Sequence, residues 1–304
     1  MVRHVCGQAT SRCLSRVWVR KDSNPSNRYL PSSSGIYRGM VVMHQAINPV
    51  DGVGVAYRVI GDGPPLVLAH GTALSSAIWR AFGYVDALRD EYQLILPDMR
   101  GHGCSDAPPQ PESYAMDLVV ADMIAVLDAL GHDQAHYLGY SFGGRVGLSL
   151  AVAESDRLRT LTVGAGSSRP QAGSFDELFF PGCIDVLDRE GMTAFLDQWN
   201  AHRSWPLDPA TRAAFDANDT RALIAYLRRT QLEPGVPDAA LEALDVPTLL
   251  FVGSEDRPRL SDTRRLATLI PGSQLAVIPG FDHATTVAAS EEVLAVVKPF
   301  LEEH

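Results

Sequence analysis

The chain has 304 residues, of which 46% are hydrophobic and 20% are charged. These values are typical of globular proteins and exclude disordered and collagen-like classes. No apolar run reaches the roughly 18 residues that a membrane span needs, so the sequence predicts no transmembrane helix. The length suits one large α/β domain that carries an insertion.

The net charge of −10 is unevenly distributed along the chain. Residues 1–42 contain seven basic residues and one acidic residue, so the rest carries a net charge of −16. Such an acidic body repels phosphate backbones, and we therefore predict no nucleic-acid partner. The four cysteines show no CxxC spacing and fit a reducing compartment, which predicts a cytoplasmic location. The sequence says nothing about the oligomeric state.

The first 42 residues are rich in Arg and Ser and lack the apolar run of a secretory signal. This segment is either a targeting peptide or an over-extended start, since Met40 and Met43 both lie just before the recognisable domain. In either case we expect the segment to be disordered.

From Val53 onward, short apolar runs alternate with longer amphipathic segments, which is the pattern of a mostly parallel sheet with helices. One helix is predicted over 77–90. A second is predicted near 114–130, where Val119, Met123 and Val126 fall on one face and Gly131 is a natural end. The predicted strands of this half are "VAYRVI", "LVLAHG", "YQLILP" and "AHYLGY".

The second half contains three further predicted strands, and a helix closes the chain. Between residues 170 and 240 the strands stop, and helical runs are interrupted by Pro and Gly. We therefore predict a core of residues 43–169 and 241–304, with a helical cap of residues 170–240 inserted into it. The three strands are "LRTLTVGAG", "VPTLLFVGSED" and "SQLAVIPG".

The stretch "GYSFG", Gly139–Gly143, follows a predicted strand and opens a predicted helix. In this context G-x-S-x-G indicates a nucleophile elbow, in which the serine lies at a tight turn and only glycine leaves room on either side. The five residues alone are weak evidence because the chain contains 25 glycines. The surrounding chain must therefore supply the partners of Ser141.

A serine hydroxyl needs a histidine to remove its proton and an acid to orient that histidine. Asp256 follows the strand in "LLFVGSED", and His283 follows the strand in "LAVIPGFDH". The order Ser, Asp, His at three strand ends predicts a catalytic triad. Glu255 remains a competing candidate for the acid.

Acyl transfer also needs donors for the developing oxyanion. One predicted donor is the backbone N–H of Phe142, the residue after the nucleophile. The other is the backbone N–H of Thr72 in the loop "AHGTALS", which follows an earlier strand.

The chain resembles the α/β-hydrolase superfamily in the motifs "HGTALS", "DMRGHGCSD", "GYSFGG", "GSEDRP" and "GFDHAT", which stand in the family's order over residues 50–304. The resemblance implies an α/β fold with an eight-stranded, mostly parallel sheet, flanking helices and a cap inserted before the strand that leads to the acid. It maps the family's triad onto Ser141, Asp256 and His283.

The serine separates this chain from branches that look similar but use an aspartate or cysteine nucleophile. Esterases, lactonases, thioesterases and carbon–carbon bond hydrolases keep Ser, Asp and His. The chain is also similar to the synthase that eliminates pyruvate in menaquinone biosynthesis, in which an arginine after the elbow holds a substrate carboxylate. Arg145 has that position here, and the alternative is a helix-surface arginine. A third hypothesis is a low-turnover ligand sensor, because some plant hormone receptors keep this fold and triad.

Several other residues have conspicuous side chains. The possible pocket residues are Trp79, Phe179 and Trp205, each of which could equally be plain core. We predict structural roles for Asp98, Arg100 and His102 in "DMRGHG". His132 and His136 are spaced like a metal pair, but Gly131 ends the helix before them, so we predict no metal and no cofactor. Cys104 and Cys183 have no histidine partner in any motif.

These observations together predict a serine hydrolase that cleaves a small, mostly apolar carboxylic ester or lactone through an acyl-enzyme. The alternatives kept are a triad-dependent carbon–carbon hydrolase or lyase and the low-turnover sensor.

Overall fold

The computed structural model describes residues 42–203 and 206–304. The predictions for the N-terminal segment up to residue 41, and the one for Trp205, lie outside the described residues. The strands are β1 (Met43–Ile47), β2 (Gly54–Ile60), β3 (Pro65–Ala69), β4 (Gln93–Pro97), β5 (Ala135–Tyr140), β6 (Leu158–Gly164), β7 (Thr248–Gly253) and β8 (Gln274–Ile278).

Helices alternate with the strands along the described chain. In chain order they are α1 (Ala77–Ala81), α2 (Tyr84–Leu88), α3 (Met116–Leu130), α4 (Phe142–Ala153), α5 (Ser174–Leu178), α6 (Cys183–Ala201), α7 (Pro209–Asp216), α8 (Thr220–Thr230), α9 (Asp238–Glu242), α10 (Arg257–Leu269) and α11 (Ser290–Glu303).

The strands form one sheet in the order β1-β2-β4-β3-β5-β6-β7-β8. β2 pairs antiparallel with both β1 and β4, and every other neighbouring pair is parallel. This sheet confirms the α/β class and the eight-stranded, mostly parallel architecture that the resemblance implies. Because β3, β5, β7 and β8 all run the same way, the loops at their carboxyl ends meet at one edge of the sheet.

Helices cover both faces of the sheet, as a parallel sheet requires. One apolar cluster joins the sheet to α3 and α4 and continues into the helices α6 to α8. The other cluster joins the opposite face to α1, α2 and α11. The central strands β3 and β5 are buried almost throughout, which explains why they read as continuous apolar runs.

The structure differs from the sequence prediction in two local features. The periodicity missed β1, because "MHQAI" is a short edge strand with polar His44 and Gln45, and only Ala46 is buried in it. The single helix predicted over 77–90 is two short helices, α1 and α2. Gly83 separates them with φ of +85°, a left-handed conformation that ends one helix and begins the next.

The segment between β6 and β7 contains five helices, α5 to α9, and no strand among its described residues. It packs over the carboxyl edge of the sheet, where Tyr226 of α8 meets Phe142 of α4 with ring centroids 4.8 Å apart. The cap boundaries at 170 and 240 stay predictions. Within the two described ranges, no helix is both long and apolar enough to cross a membrane. The cytoplasmic location also stays a prediction.

Candidate active site

Ser141 lies between the end of β5 and the start of α4, with φ of 55° and ψ of −110°. A side chain is strained in this conformation, so the surrounding packing must hold it. A Cβ at Gly139 would lie 2.2 Å from the Gly143 oxygen, and a Cβ at Gly143 would lie 2.2 Å from the Ala69 oxygen. Glycine is therefore required on both sides, and the hydroxyl stands at the carboxyl edge of the sheet.

The loops after β7 and β8 bring two further side chains to Ser141. The Nε2 atom of His283 lies 2.9 Å from the Ser141 Oγ, and its Nδ1 lies 2.7 Å from the Asp256 Oδ2. These distances fit a nucleophile, a base and an orienting acid in series. Glu255, the competing acid, is exposed and accepts a hydrogen bond from Ser254 instead.

Tyr140 holds the loop that carries His283. Its hydroxyl donates a hydrogen bond to the His283 carbonyl oxygen at 2.5 Å, and its ring centroid lies 5.6 Å from the imidazole. Burial raises the pKa of Tyr140 well above its ordinary value, so the phenol stays protonated and can donate. The residue directly before the nucleophile therefore positions the base.

The loop after β3 lies against the nucleophile, as the predicted oxyanion site requires. A Cβ at Gly71 would lie 3.3 Å from the Ser141 Cβ, and Thr72 lines the space around Ser141. Phe142 is the first residue of α4, where a backbone N–H has no intrahelical acceptor. The N–H groups of Thr72 and Phe142 remain the predicted oxyanion donors.

A buried network fixes this oxyanion loop. His102 Nε2 accepts a hydrogen bond from the Ala73 N–H, and Asp98 accepts from the Ser76 N–H. In the opposite direction, His70 of the loop after β3 accepts a hydrogen bond at its Nε2 from the N–H of Met99 in the loop after β4. Burial lowers the pKa of His70 and lowers that of His102 to about 3, so both imidazoles stay neutral and keep accepting. Asp98 and His102 thus have contacts that fit the structural role predicted for them.

Arg100 anchors the same segment from the other side. It is 1% exposed, and its Nε donates to the Asp122 Oδ2 at 2.6 Å. Its Nη1 donates to Asp51 at 2.7 Å. A buried guanidinium with two carboxylates is fully paired, which again fits a structural role.

Two cavities meet at Ser141. The polar cavity, about 330 Å³, is lined by hydrophilic side chains together with Phe142, Phe175 and Tyr226. The apolar cavity, about 550 Å³, is lined by aromatic and aliphatic side chains together with His283. The hydrophilic side chains of the polar cavity include Thr72, Arg145, Ser167, Gln171, Thr230 and Arg259. The aromatic and aliphatic side chains of the apolar cavity include Phe82, Phe179, Trp199, Phe215 and Val287.

Of the predicted pocket residues that the structure describes, Phe179 and Arg145 line a cavity and Trp79 does not. Phe179 lines the apolar cavity. Trp79 is fully buried in the core, edge-on to Tyr84, and lines neither cavity. Arg145 lines the polar cavity and is only 5% exposed, so the helix-surface interpretation was wrong. Its guanidinium donates to the backbone oxygens of three loop residues, Ser167, Arg169 and Pro234.

Sequence reasoning missed three site residues: Tyr226, Trp199 and Arg259. The Tyr226 hydroxyl lies 2.7 Å from the Thr72 Oγ1, so the cap touches the oxyanion loop directly. Trp199 and Arg259 line the apolar and polar cavities respectively. Tyr226 and Trp199 carry only the helical apolar period, and no local motif distinguishes a core aromatic from one that faces a site.

His132 and His136 have separate partners: His132 bonds Gln93 and His136 bonds Thr160. Among the residues that the structure describes, no group of three or more His, Cys, Asp or Glu side chains could hold a metal ion. Burial raises the pKa of Cys183 to about 12, which makes that thiol a poor nucleophile.

This geometry and the sheet order define the class: the chain belongs to the α/β-hydrolase superfamily and is an enzyme. The model of the α/β-hydrolase fold family matches residues 64–180. A 2-hydroxymuconate semialdehyde hydrolase of Pseudomonas putida is 30% identical over 254 residues, which cover 80% of this chain and 89% of that protein.

Two further similarities widen the comparison. A protein provisionally named carbamate hydrolase RutD, from Caulobacter sp. (strain K31), is 29% identical over 267 residues, covering 83% of this chain and 96% of that one. The solved structure of the esterase RhEst1 from Rhodococcus sp. ECU1013 has a TM-score of 0.71 at 28% identity, covering 86% of this chain and 98% of that chain. The relatives are hydrolases with different substrates.

Proposed function

We propose that the chain is a serine hydrolase that cleaves a small carboxylic ester or lactone through an acyl-enzyme. The observation that carries this proposal is the continuous hydrogen-bonded series from Ser141 through His283 to Asp256. Ser141 attacks the carbonyl carbon while His283 accepts its proton, and Asp256 orients the imidazole and stabilises its cation. The N–H groups of Thr72 and Phe142 bind the oxyanion.

The second half of the reaction uses the same groups. His283 returns its proton to the leaving oxygen, and the alcohol departs. Water, deprotonated by His283, then attacks the acyl-enzyme and restores Ser141. The similarity to RhEst1, which is named an esterase, supports this substrate class.

The test is labelling with a fluorophosphonate probe, with the labelled peptide identified by mass spectrometry and turnover measured on p-nitrophenyl esters. We expect label on Ser141 and multiple turnovers. Ser141→Ala should lose label and lower kcat by about 10⁶-fold while the melting temperature stays close to that of the unmodified chain. Substantial esterase activity in folded Ser141→Ala would contradict the proposal, and label without turnover would favour the ligand sensor.

A second candidate is hydrolysis or elimination at a carbon–carbon bond by the same triad, with Arg145 as the anchor of a substrate carboxylate. Two observations favour it: Arg145 lines the cavity beside Ser141, and the Pseudomonas putida relative is named a 2-hydroxymuconate semialdehyde hydrolase. The test of this candidate is turnover of a carboxylic acid that contains a vinylogous 1,5-diketone. The loss of the substrate's absorbance measures this turnover. Efficient turnover of that substrate, with none of simple esters, would place it first.

A further inference from the structure

The two cavities that meet at Ser141 differ in which part of the catalytic machinery lines them. Phe142 lines only the polar cavity, whereas His283 lines only the apolar cavity. Thr72 lies between them and lines both. The predicted oxyanion donor Phe142 thus lies toward the polar side of the nucleophile and the base toward the apolar side, with the second predicted donor, Thr72, between them.

This division fixes the direction in which an ester can bind. The imidazolium of His283 must deliver its proton to the leaving oxygen, so that oxygen has to lie within hydrogen-bond reach of Nε2. The alcohol half of the substrate therefore extends into the apolar cavity. The acyl half, which stays attached to Ser141, extends into the polar cavity.

The charges of the polar cavity indicate what the acyl half carries. Arg145 is bound by three backbone oxygens and by no carboxylate within the described part of the chain, where its buried Nε also has no hydrogen-bond partner. Burial lowers the pKa of Arg145 to about 10; the charge of Glu233 opposes this shift and that of Arg259 adds to it. Glu233 itself pairs with Arg229.

Arg259 is the second guanidinium of this cavity, and it is 8% exposed. It shares a single carboxylate, Asp262, with Arg169: the N–O distances are 3.2 Å and 2.5 Å. Arg145 and Arg259 are two buried cations that face one space. Of the two, Arg259 alone has a carboxylate within ion-pair distance among the described residues, and it shares that carboxylate with Arg169. The charge of this cavity therefore favours an anionic group.

The apolar cavity has no such preference. Its one lining arginine, among the residues described, is Arg203, which is ion-paired with Asp282 at 2.9 Å and lies over the Trp199 ring. A carboxylate on the alcohol half would meet aromatic surface and would be desolvated without a matching cation.

We propose that the substrate is a half-ester: the monoester of a small dicarboxylic acid with an apolar alcohol, whose free carboxylate lies in the polar cavity with Arg145 and Arg259. The proposal rests on the proposed ester hydrolysis. Ser141 Oγ bonds to the carbonyl carbon, the bond to the alcohol oxygen breaks, and the serine proton passes through His283 to that oxygen. Water then releases the dicarboxylic acid.

The experiment compares three esters of similar size. Benzyl hemiglutarate carries a carboxylate on the acyl half, benzyl hexanoate is neutral, and 4-carboxybenzyl hexanoate carries the carboxylate on the alcohol half. We expect kcat/KM to fall in that order, with about a tenfold or greater preference for the hemiglutarate over the hexanoate, since a charge-assisted pair contributes that much binding.

Two variants assign the preference to the cavity. Arg259→Met should reduce the preference for the hemiglutarate, measured as the ratio of its kcat/KM to that of benzyl hexanoate, by about tenfold. Arg169→Met is the matched control, because it removes the other partner of Asp262 and lines neither cavity. Its preference should match that of the unmodified chain, and melting temperatures establish that both variants are folded.

Binding to Ser141→Ala, measured by calorimetry with the same three esters, separates the two proposals. If no ester is turned over but the hemiglutarate binds most tightly, the hydrolase proposal fails and the anionic site stands. If esters are turned over but the hexanoate or the 4-carboxybenzyl ester is preferred in both kinetics and binding, the half-ester assignment is overturned. An equal loss of preference in Arg169→Met would overturn it too.

Discussion

The floor and the roof of the active site are built by different means. The floor consists of the strand-end loops around Ser141 and is held by hydrogen bonds of fixed direction, such as those to His70 and His102. The roof consists of cap helices and is held mainly by ring contacts, among them Phe179 with Trp199 at 4.8 Å. Directional bonds fix atoms for chemistry, while aromatic packing tolerates changes of shape, so we expect the floor to set the reaction and the roof to set the substrate.

The sharpest test of the floor is Asp256→Asn. The amide can donate an N–H to Nδ1 of His283, where the carboxylate only accepts, so the imidazole adopts the wrong tautomer for a base. We expect kcat to fall by about 10⁴-fold with little change in stability. Stopped-flow or discontinuous ester assays give the rate, and a loss below tenfold would show that Asp256 does not orient the base.

Arg100→Met tests how the floor is anchored. It leaves Asp122, which is fully buried, without its cation, and breaking a buried pair costs about 3–5 kcal/mol. The free energy of unfolding in urea measures the effect. The control is Arg89→Met, which breaks an exposed pair with Asp86 and should cost less than about 1 kcal/mol. Equal effects of the two variants would contradict the buried anchor.

A pH series tests the neutral histidines of the floor. The folded-state pKa of His102 lies below its unfolded value, so its contribution to stability is present above about pH 6.5 and is lost as the pH falls. At about 1.4 kcal/mol per pH unit, the loss from pH 6.5 to 5 is about 2 kcal/mol for this residue. Urea unfolding at both pH values gives the difference. His102→Gln should flatten this dependence, and an unchanged slope would assign it to other groups.

Tyr226→Phe tests a hydrogen bond that joins roof to floor. Its hydroxyl is replaced by hydrogen, and Thr72 loses its partner. We expect kcat to fall by about tenfold, equivalent to about 1.4 kcal/mol, with KM nearly unchanged. Tyr114→Phe removes another buried tyrosine bond, to the Pro108 oxygen, and should spare kcat. A KM effect without a kcat effect would make Tyr226 a binding residue only.

The floor was largely predictable because its signals are local. A glycine-flanked serine between a strand and a helix, and an acid and a histidine after later strands, can be recognised within a few residues each. The structure places His283 within hydrogen-bond distance of both Ser141 and Asp256, although residues 141 and 283 are far apart in the sequence.

The roof was not predictable to the same degree, because its residues reach the site through tertiary packing. Tyr226 and Trp199 have the same helical period as any core aromatic. Trp79, chosen for its closeness to the oxyanion loop, instead turns into the core against Tyr84. The charge of Arg145 by itself predicts a surface position. Its burial depends on the loops at Ser167 and Pro234, whose backbone oxygens accept hydrogen bonds from its guanidinium.

His283 lines the apolar cavity and not the polar one, and this placement has a consequence for the order of events in turnover. Once the alcohol departs, the space it leaves is the space beside Nε2, and it is the entrance for the hydrolytic water. A second apolar alcohol fits that space as well as the first. Under the proposed mechanism, added benzyl or aliphatic alcohol would therefore compete with water for the acyl-enzyme, and the protein would act as an acyltransferase. The ratio of new ester to free acid among the products would then report how well water hydrates that cavity.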